Sequence, residues 1–136
     1  MSEPGDDDDL VPLRVLIADD EPDVRLMLRL QLESHGYEVT GEATNGLEAL
    51  DLCAADEPDV AVVDLMMPRM SGYDAIPRLR IAHPDVAIIA FTAVVGEQAR
   101  REMARLHIPV VLKTGNFAPL DTAIKSAADH IAGQVD

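Results

Sequence analysis

Five residues of this chain have types and spacings that could do chemistry together. The stretch "RVLIADDEPDVR", Arg14 to Arg25, puts Asp19, Asp20 and Glu21 directly after an apolar run of strand type, Val15 to Ala18. "DVAVVDLMMP" does the same for Asp64, "AIIAFTA" for Thr92 and "PVVLKT" for Lys113. Adjacent carboxylates at the end of a buried strand repel one another and lose hydration, so they call for a bound positive partner. Clustered acids suit a hard divalent cation. A site with few protein ligands, several waters and room for a phosphate oxygen suits Mg²⁺, with Mn²⁺ as the alternative ion. Lys113 supplies a point positive charge able to pair with Asp64 at rest and with an added phosphoryl group later. Thr92 supplies a hydroxyl able to follow that group.

Taken singly, each residue has an ordinary reading. Asp19 or Asp20 could cap a helix, Asp64 could start a turn, Lys113 could be a solvated lysine and Thr92 a plain strand residue. Jointly, acids after two apolar runs, a hydroxyl after a third and a lysine after a fourth are an improbable coincidence.

Elements that would bring these residues to one place are legible in the pattern. Apolar runs alternate with segments of helical period: Val15 to Ala18 then Val24, Met27, Leu28 and Leu32; Tyr37 to Val39 then Leu47, Leu50 and Leu52. Val60 to Val63 is followed by Ile76, Leu79 and Ile81, Val86 to Phe91 by Met103 and Leu106, and Val110 to Leu112 by Leu120, Ile124 and Ile131. Five strands alternating with five helices predict an α/β fold, a parallel sheet with helices on both faces. Fully apolar strands predict the same. Pro22 fits the first turn of the first helix, Gly36 its end, and "TNG" the start of the second; Pro77 is tolerable if the third helix begins near Asp74. In an open parallel sheet, functional groups gather beyond the carboxyl ends of the strands, where all five candidates stand.

Composition narrows the class. The 136 residues are 48% hydrophobic and 26% charged, enough for one domain with a proper core, and no apolar run approaches the roughly 20 residues of a membrane span. No secretory signal is recognisable, and the lone Cys53 cannot form an internal disulfide, so a cytoplasmic protein with a buried Cys53 is expected. The first 12 residues hold four consecutive Asp and read as a disordered acidic leader, with one domain over 13–136 and no output domain after it. A net charge of -14 opposes nucleic acid and anionic membranes, and Arg100, Arg101 and Arg105 read as one helix face, a solvated surface or a protein contact rather than a DNA reader.

"VLIADDEPDVR", "DVAVVDLMMPRMSGYD", "IIAFTA" and "VVLK" together resemble the receiver domains of bacterial two-component response regulators, over residues 13 to about 132. The resemblance implies a flavodoxin-like (βα)5 fold with strand order 2-1-3-4-5. It implies Asp64 as phosphoacceptor, Asp19, Asp20 and Asp64 with the backbone carbonyl of Met66 as Mg²⁺ ligands, Thr92 as switch hydroxyl and Lys113 as phosphate partner. It implies a histidine kinase or phosphotransfer protein as donor, a downstream protein partner in trans, and a monomer or weak dimer. The chain departs from the family where Thr114 replaces the proline after the lysine, Val110 stands at the switch aromatic, and Leu106-His107 replaces Gly-Ala. Those departures motivate an alternative, a phosphorylation-independent pseudo-receiver that acts as an interaction module. The resemblance also places Met66 and Val94 beside the attacking water, and two apolar side chains there imply a slowly hydrolysed acyl phosphate. A haloacid-dehalogenase-like phosphatase would carry its nucleophile in a D-x-D pattern, which "DDEP" is not, and a flavin binder would not put carboxylates against a phosphate.

Overall fold

The computed structural model describes residues 11–93 and 95–135. The first ten residues, most of the expected leader, and Val94 lie outside the described residues. The elements run β1 (Arg14–Ala18), α1 (Pro22–Ser34), β2 (Glu38–Ala43), α2 (Gly46–Ala55), β3 (Val60–Val63), α3 (Gly72–Ala82), β4 (Ala87–Thr92), α4 (Glu97–Arg105), β5 (Val110–Leu112) and α5 (Ala118–Val135). All neighbouring strands pair in parallel, in the order β2-β1-β3-β4-β5. The expected flavodoxin-like architecture is present.

Strand periodicity divides the core into two layers, because successive side chains leave opposite faces of a sheet. Val15 and Ile17 of β1 pack with Val60, Val62, Ile89 and Phe91 beneath Leu28 and Leu32 of α1 and Leu120 and Ile124 of α5. Leu16 and Ala18 pack on the other face with Ala61, Val63 and Ala90 beneath Cys53 of α2, Ile76 and Leu79 of α3 and Met103 of α4. Each fully buried leucine or isoleucine contributes about 1.5–3 kcal/mol. That burial makes the central strands rigid supports for the residues at their carboxyl ends.

Helix ends obey local chemistry. Pro22 opens α1, where its missing N–H is no loss, and Gly36 at φ 87° closes it. Asn45 caps α2 by accepting the Glu48 N–H at 2.9 Å, and Glu48 returns a bond to the Thr44 N–H at 2.8 Å.

Two expectations need correction, and the ordinary reading of Asp19 as a helix cap falls as well. α3 starts at Gly72, not near Asp74, because Ser71 accepts the Asp74 N–H and fixes the cap two residues earlier. Pro77 therefore lies inside the helix and offers no N–H to the carbonyl of Tyr73. β2 runs Glu38–Ala43 with Thr40, Gly41 and Glu42 inside it, and so is neither fully apolar nor confined to Tyr37–Val39. It is an edge strand, paired only with β1, and a half-covered edge tolerates polar residues that a central strand does not. Asp19 does not cap α1: the cap position is Glu21, and the Asp19 carboxylate takes the Glu21 N–H at 2.9 Å in a local turn.

Candidate functional site

β1 and β3 lie side by side at the centre of the sheet, so their C-terminal residues are neighbours. The Asp64 N–H donates to the Ala18 carbonyl at 2.9 Å and the Asp19 N–H to the Ala43 carbonyl at 3.0 Å, extending both ladders one residue past the strands. Asp19 and Asp64 are thereby buried, 1% and 4% exposed, while Asp20 points outward. One carboxylate oxygen from each of Asp19, Asp20 and Asp64 falls within 4.8 Å of the others. Arg25 braces the loop by donating to the Asp19 carbonyl at 2.7 Å.

Lys113 arrives from the end of β5 through a bond of its N–H to the Thr92 carbonyl at 2.9 Å, which ties the ends of β4 and β5 together. Its ammonium donates to Asp64 Oδ2 at 3.0 Å and lies 2.6 Å from Asp19 Oδ2 and 3.6 Å from Glu21 Oε1. The contact with Asp19 is a close ion pair that covers the buried Asp19 Oδ2 with the ammonium. The same lysine lies 5.9 Å from the centre of the Phe91 ring. Thr92, 1% exposed, ends β4 in register with Leu112.

Electrostatics here set burial against pairing. Burial pushes the Asp64 carboxyl above the ordinary aspartate range; the bonds from Lys113 and from the Met66 N–H, at 3.2 Å, pull it down, and Asp19's charge raises it further. For Lys113, burial works to lower the affinity for its proton, but Asp19 and Asp64 more than offset this, and the net shift is upward. The ammonium is held charged between acids that cannot all be satisfied by it.

Whether a divalent cation suits these residues can be judged from the donor set. Three converging carboxylates form a hard oxygen site, and a single ammonium shared between Asp19 and Asp64 leaves negative charge there for a cation to neutralise. The residues fit the ion.

Comparison with known proteins decides the family. Residues 15–125 match the response regulator receiver domain. The chain belongs to that family. Among curated receiver-containing relatives, it is similar to the chemotaxis protein CheY of Thermotoga maritima, 44% identical over 63% of this chain and 71% of that protein. It is also similar to response regulator MprA of Mycolicibacterium vanbaalenii, 45% identical over 61% of this chain but only 36% of that protein. The chain thus spans about a third of MprA. Among solved structures it resembles response regulator TrrA of Thermotoga maritima, crystallised in complex with Mg²⁺-BeF. The TM-score is 0.77 at 32% identity, covering 85% of this chain and 98% of that one.

In this receiver domain the structure brings together Asp19, Asp20, Asp64 and Lys113, with Thr92 at the adjoining strand end. The Met66 backbone adjoins Asp64 through its N–H, and its side chain is 64% exposed. Three contributors carry no role in the sequence reading. Glu21 reaches Lys113, and its place in the acidic run "DDE" is the available signal. Gly72 sits where a Cβ would lie 2.1 Å from the Asp64 carbonyl oxygen, and Gly46 where one would lie 2.7 Å from the Met70 carbonyl oxygen. "SG" and "NG" place each glycine just after a capping residue, Ser71 or Asn45, but only the fold shows what they approach.

The β5–α5 loop, where Thr114 replaces proline, is built by side chains. Thr114 Oγ1 accepts the Asn116 N–H at 3.3 Å and Asn116 Oδ1 accepts the Ala118 N–H at 3.1 Å, around Gly115 at φ 84°. His107, in the pair that replaces the family's Gly-Ala, takes a left-handed φ of 59° just after α4.

Proposed function

We propose that this receiver domain accepts a phosphoryl group on Asp64 from a histidine kinase or phosphotransfer protein and, so modified, switches its binding to a downstream protein in the cytoplasm. The supporting observation is the placement of one ammonium, Lys113, between Asp64 Oδ2 and Asp19 Oδ2 at a three-carboxylate cluster. Asp19, Asp20, Asp64 and the Met66 carbonyl would hold Mg²⁺, which when bound supplies positive charge to the phosphoryl oxygens.

The chain's own groups do the rest. An Asp64 carboxylate oxygen attacks phosphorus in line as the bond to the donor breaks, and burial keeps competing water away. Lys113 keeps its proton and stabilises charge on the transferring group. Thr92, at the adjoining strand end, donates its hydroxyl to a phosphoryl oxygen. The only chemistry catalysed is the protein's own phosphorylation and dephosphorylation. Met66 and Val94 set the lifetime: Met66→Asn with Val94→Glu should speed phosphoryl loss about tenfold, which takes only ~1.4 kcal/mol off the barrier.

The test is incubation with a small acyl phosphate, with and without Mg²⁺, followed by intact mass. A base-labile phosphoryl adduct on wild type that needs Mg²⁺ and is missing from Asp64→Asn supports the reading. Equal labelling of the two proteins refutes it, and no labelling of either leaves the pseudo-receiver as the reading.

A further inference from the structure

The methionines of the described chain differ sharply in access. Met103 is 1% exposed and Met67 9%, Met70 is partly buried, and Met27 reaches 39%, whereas Met66 is 64% exposed. Met66 is also the one whose backbone touches the acidic site, its nitrogen 3.2 Å from Asp64 Oδ1. Its side chain therefore springs from backbone in contact with the carboxylate and stands in solvent.

Peroxides ordinarily attack an accessible thiolate first. This chain presents none. Its single cysteine, Cys53, is fully buried in the layer beneath α2, and burial, with the charge of Glu57, pushes the thiol up to about 11. Among the described residues the Met66 thioether is the most exposed soft nucleophile that a peroxide meets, ahead of Met27.

We propose that Met66 is a peroxide-oxidation site whose sulfoxide shortens the life of a phosphoryl group on Asp64, a proposal that rests on the reading of Asp64 as phosphoacceptor. In the step, the sulfur lone pair attacks one peroxide oxygen and the O–O bond breaks. That oxygen stays on sulfur and the other leaves as water, so sulfur is oxidised by two electrons and the peroxide reduced. The product is polar where the reactant was apolar. A thioether is a weak acceptor that orients water poorly, whereas the sulfoxide oxygen accepts hydrogen bonds well. Hydrolysis of an acyl phosphate depends on a water held opposite the leaving carboxylate, and an acceptor carried on backbone bonded to Asp64, in the solvent from which that water comes, helps to hold it. Sulfoxide reduction restores the thioether, so the effect is reversible.

The experiment treats the purified full chain with hydrogen peroxide, maps oxidation by peptide mass, then charges it with a small acyl phosphate and Mg²⁺ and monitors phosphoryl loss. Met66 is expected to oxidise before Met67 and Met103, and loss to accelerate about fivefold, a barrier change of about 1 kcal/mol. Met66→Gln, which carries an amide acceptor at similar reach, should lose phosphoryl quickly without peroxide. Met66→Leu should show no peroxide response, while Met27→Leu should keep it. Oxidation of Met66 no faster than that of Met103, or an oxidised Met66 with an unchanged lifetime, overturns the proposal. Failure of untreated wild type to take up phosphoryl at all overturns the reading of Asp64 instead, and the lifetime effect with it.

Discussion

Lys113 Nζ lies closer to Asp19 Oδ2, at 2.6 Å, than to Asp64 Oδ2, at 3.0 Å. The ammonium thus compensates the end of β1 as much as the end of β3, in the place where a bound cation would compensate both. Removing it leaves two buried carboxylates facing one another, and stripping one partner from a buried ion cluster costs about 3 kcal/mol or more. Lys113→Met should therefore lower the melting temperature in metal-free buffer, and millimolar Mg²⁺ should restore more stability to the variant than it adds to wild type. Thermal denaturation with chelator and with Mg²⁺ measures both; a variant as stable as wild type without metal would contradict the account.

Asp20 contributes charge to the cluster from an exposed position. A cation that binds only the folded state stabilises it by linkage, by about 2.7 kcal/mol at a hundredfold excess over its dissociation constant. Mg²⁺ should raise the melting temperature of wild type, and Asp20→Asn should shift that response to higher Mg²⁺ because one ligand charge is gone. Titration of the melting temperature against Mg²⁺ is the measurement, and superimposable curves would remove Asp20 from the site.

Gly72 admits no side chain. A Cβ there would meet the Asp64 carbonyl oxygen at 2.1 Å and the Leu65 Cα at 2.8 Å, both backbone, so neither can swing aside. Gly72→Ala should cost at least about 2 kcal/mol and lower phosphoryl uptake by moving Asp64. Gly41→Ala is the comparison, because its Cβ meets the movable Leu52 side chain at 3.3 Å and should be milder. Denaturant midpoints of the two variants settle the order.

Tyr37, buried just before β2, donates its hydroxyl to Asp121 of α5, and Lys125 pairs with the same carboxylate at 3.1 Å. Burial and then the bond to Asp121 hold the phenol above its ordinary range. For Asp121, burial acts to raise the carboxyl, but Tyr37 and Lys125 outweigh it and the net shift is downward. The Asp121 share of stability is thus present above its unfolded pKa and fades as pH falls through the folded one. The Tyr37 share is complete below its unfolded pKa and fades as pH rises towards the folded one. Tyr37→Phe should lose stability at neutral pH and show a flatter loss towards both acid and alkali. Parallel pH profiles for the two proteins would show that the bond contributes nothing.

The strands, their parallel arrangement and the strand-end cluster are legible in the sequence because each depends on a local signal, whereas the order of the strands comes only with the family resemblance. "VLIAD", "VAVVD", "AIIAFT" and "VVLK" state both the buried strand and the residue that must come next. The start of α3 is misplaced by a reading that weighs Pro77 above the Ser71 cap, and packing of Ile76 and Leu79 keeps the helix intact around the missing N–H. β2 is cut short by the same kind of reading because Thr40, Gly41 and Glu42 lack an apolar run; its extent is set by pairing with β1, across a shift in register between Val15 and Leu16. The contact of Glu21 with Lys113 joins residues far apart in sequence, and that of Gly72 with Asp64 depends on how the intervening loop folds back; no single segment encodes either.

The two outer strands have a consequence for the company the molecule keeps. β5 offers only three residues, Val110–Leu112, and β2 carries Glu38 and Glu42 along its length, with Glu42 tied to Arg29 and Arg25. A short margin on one side and a charged one on the other are poor templates for a visiting strand. Strand-by-strand growth into fibrils is disfavoured at both borders.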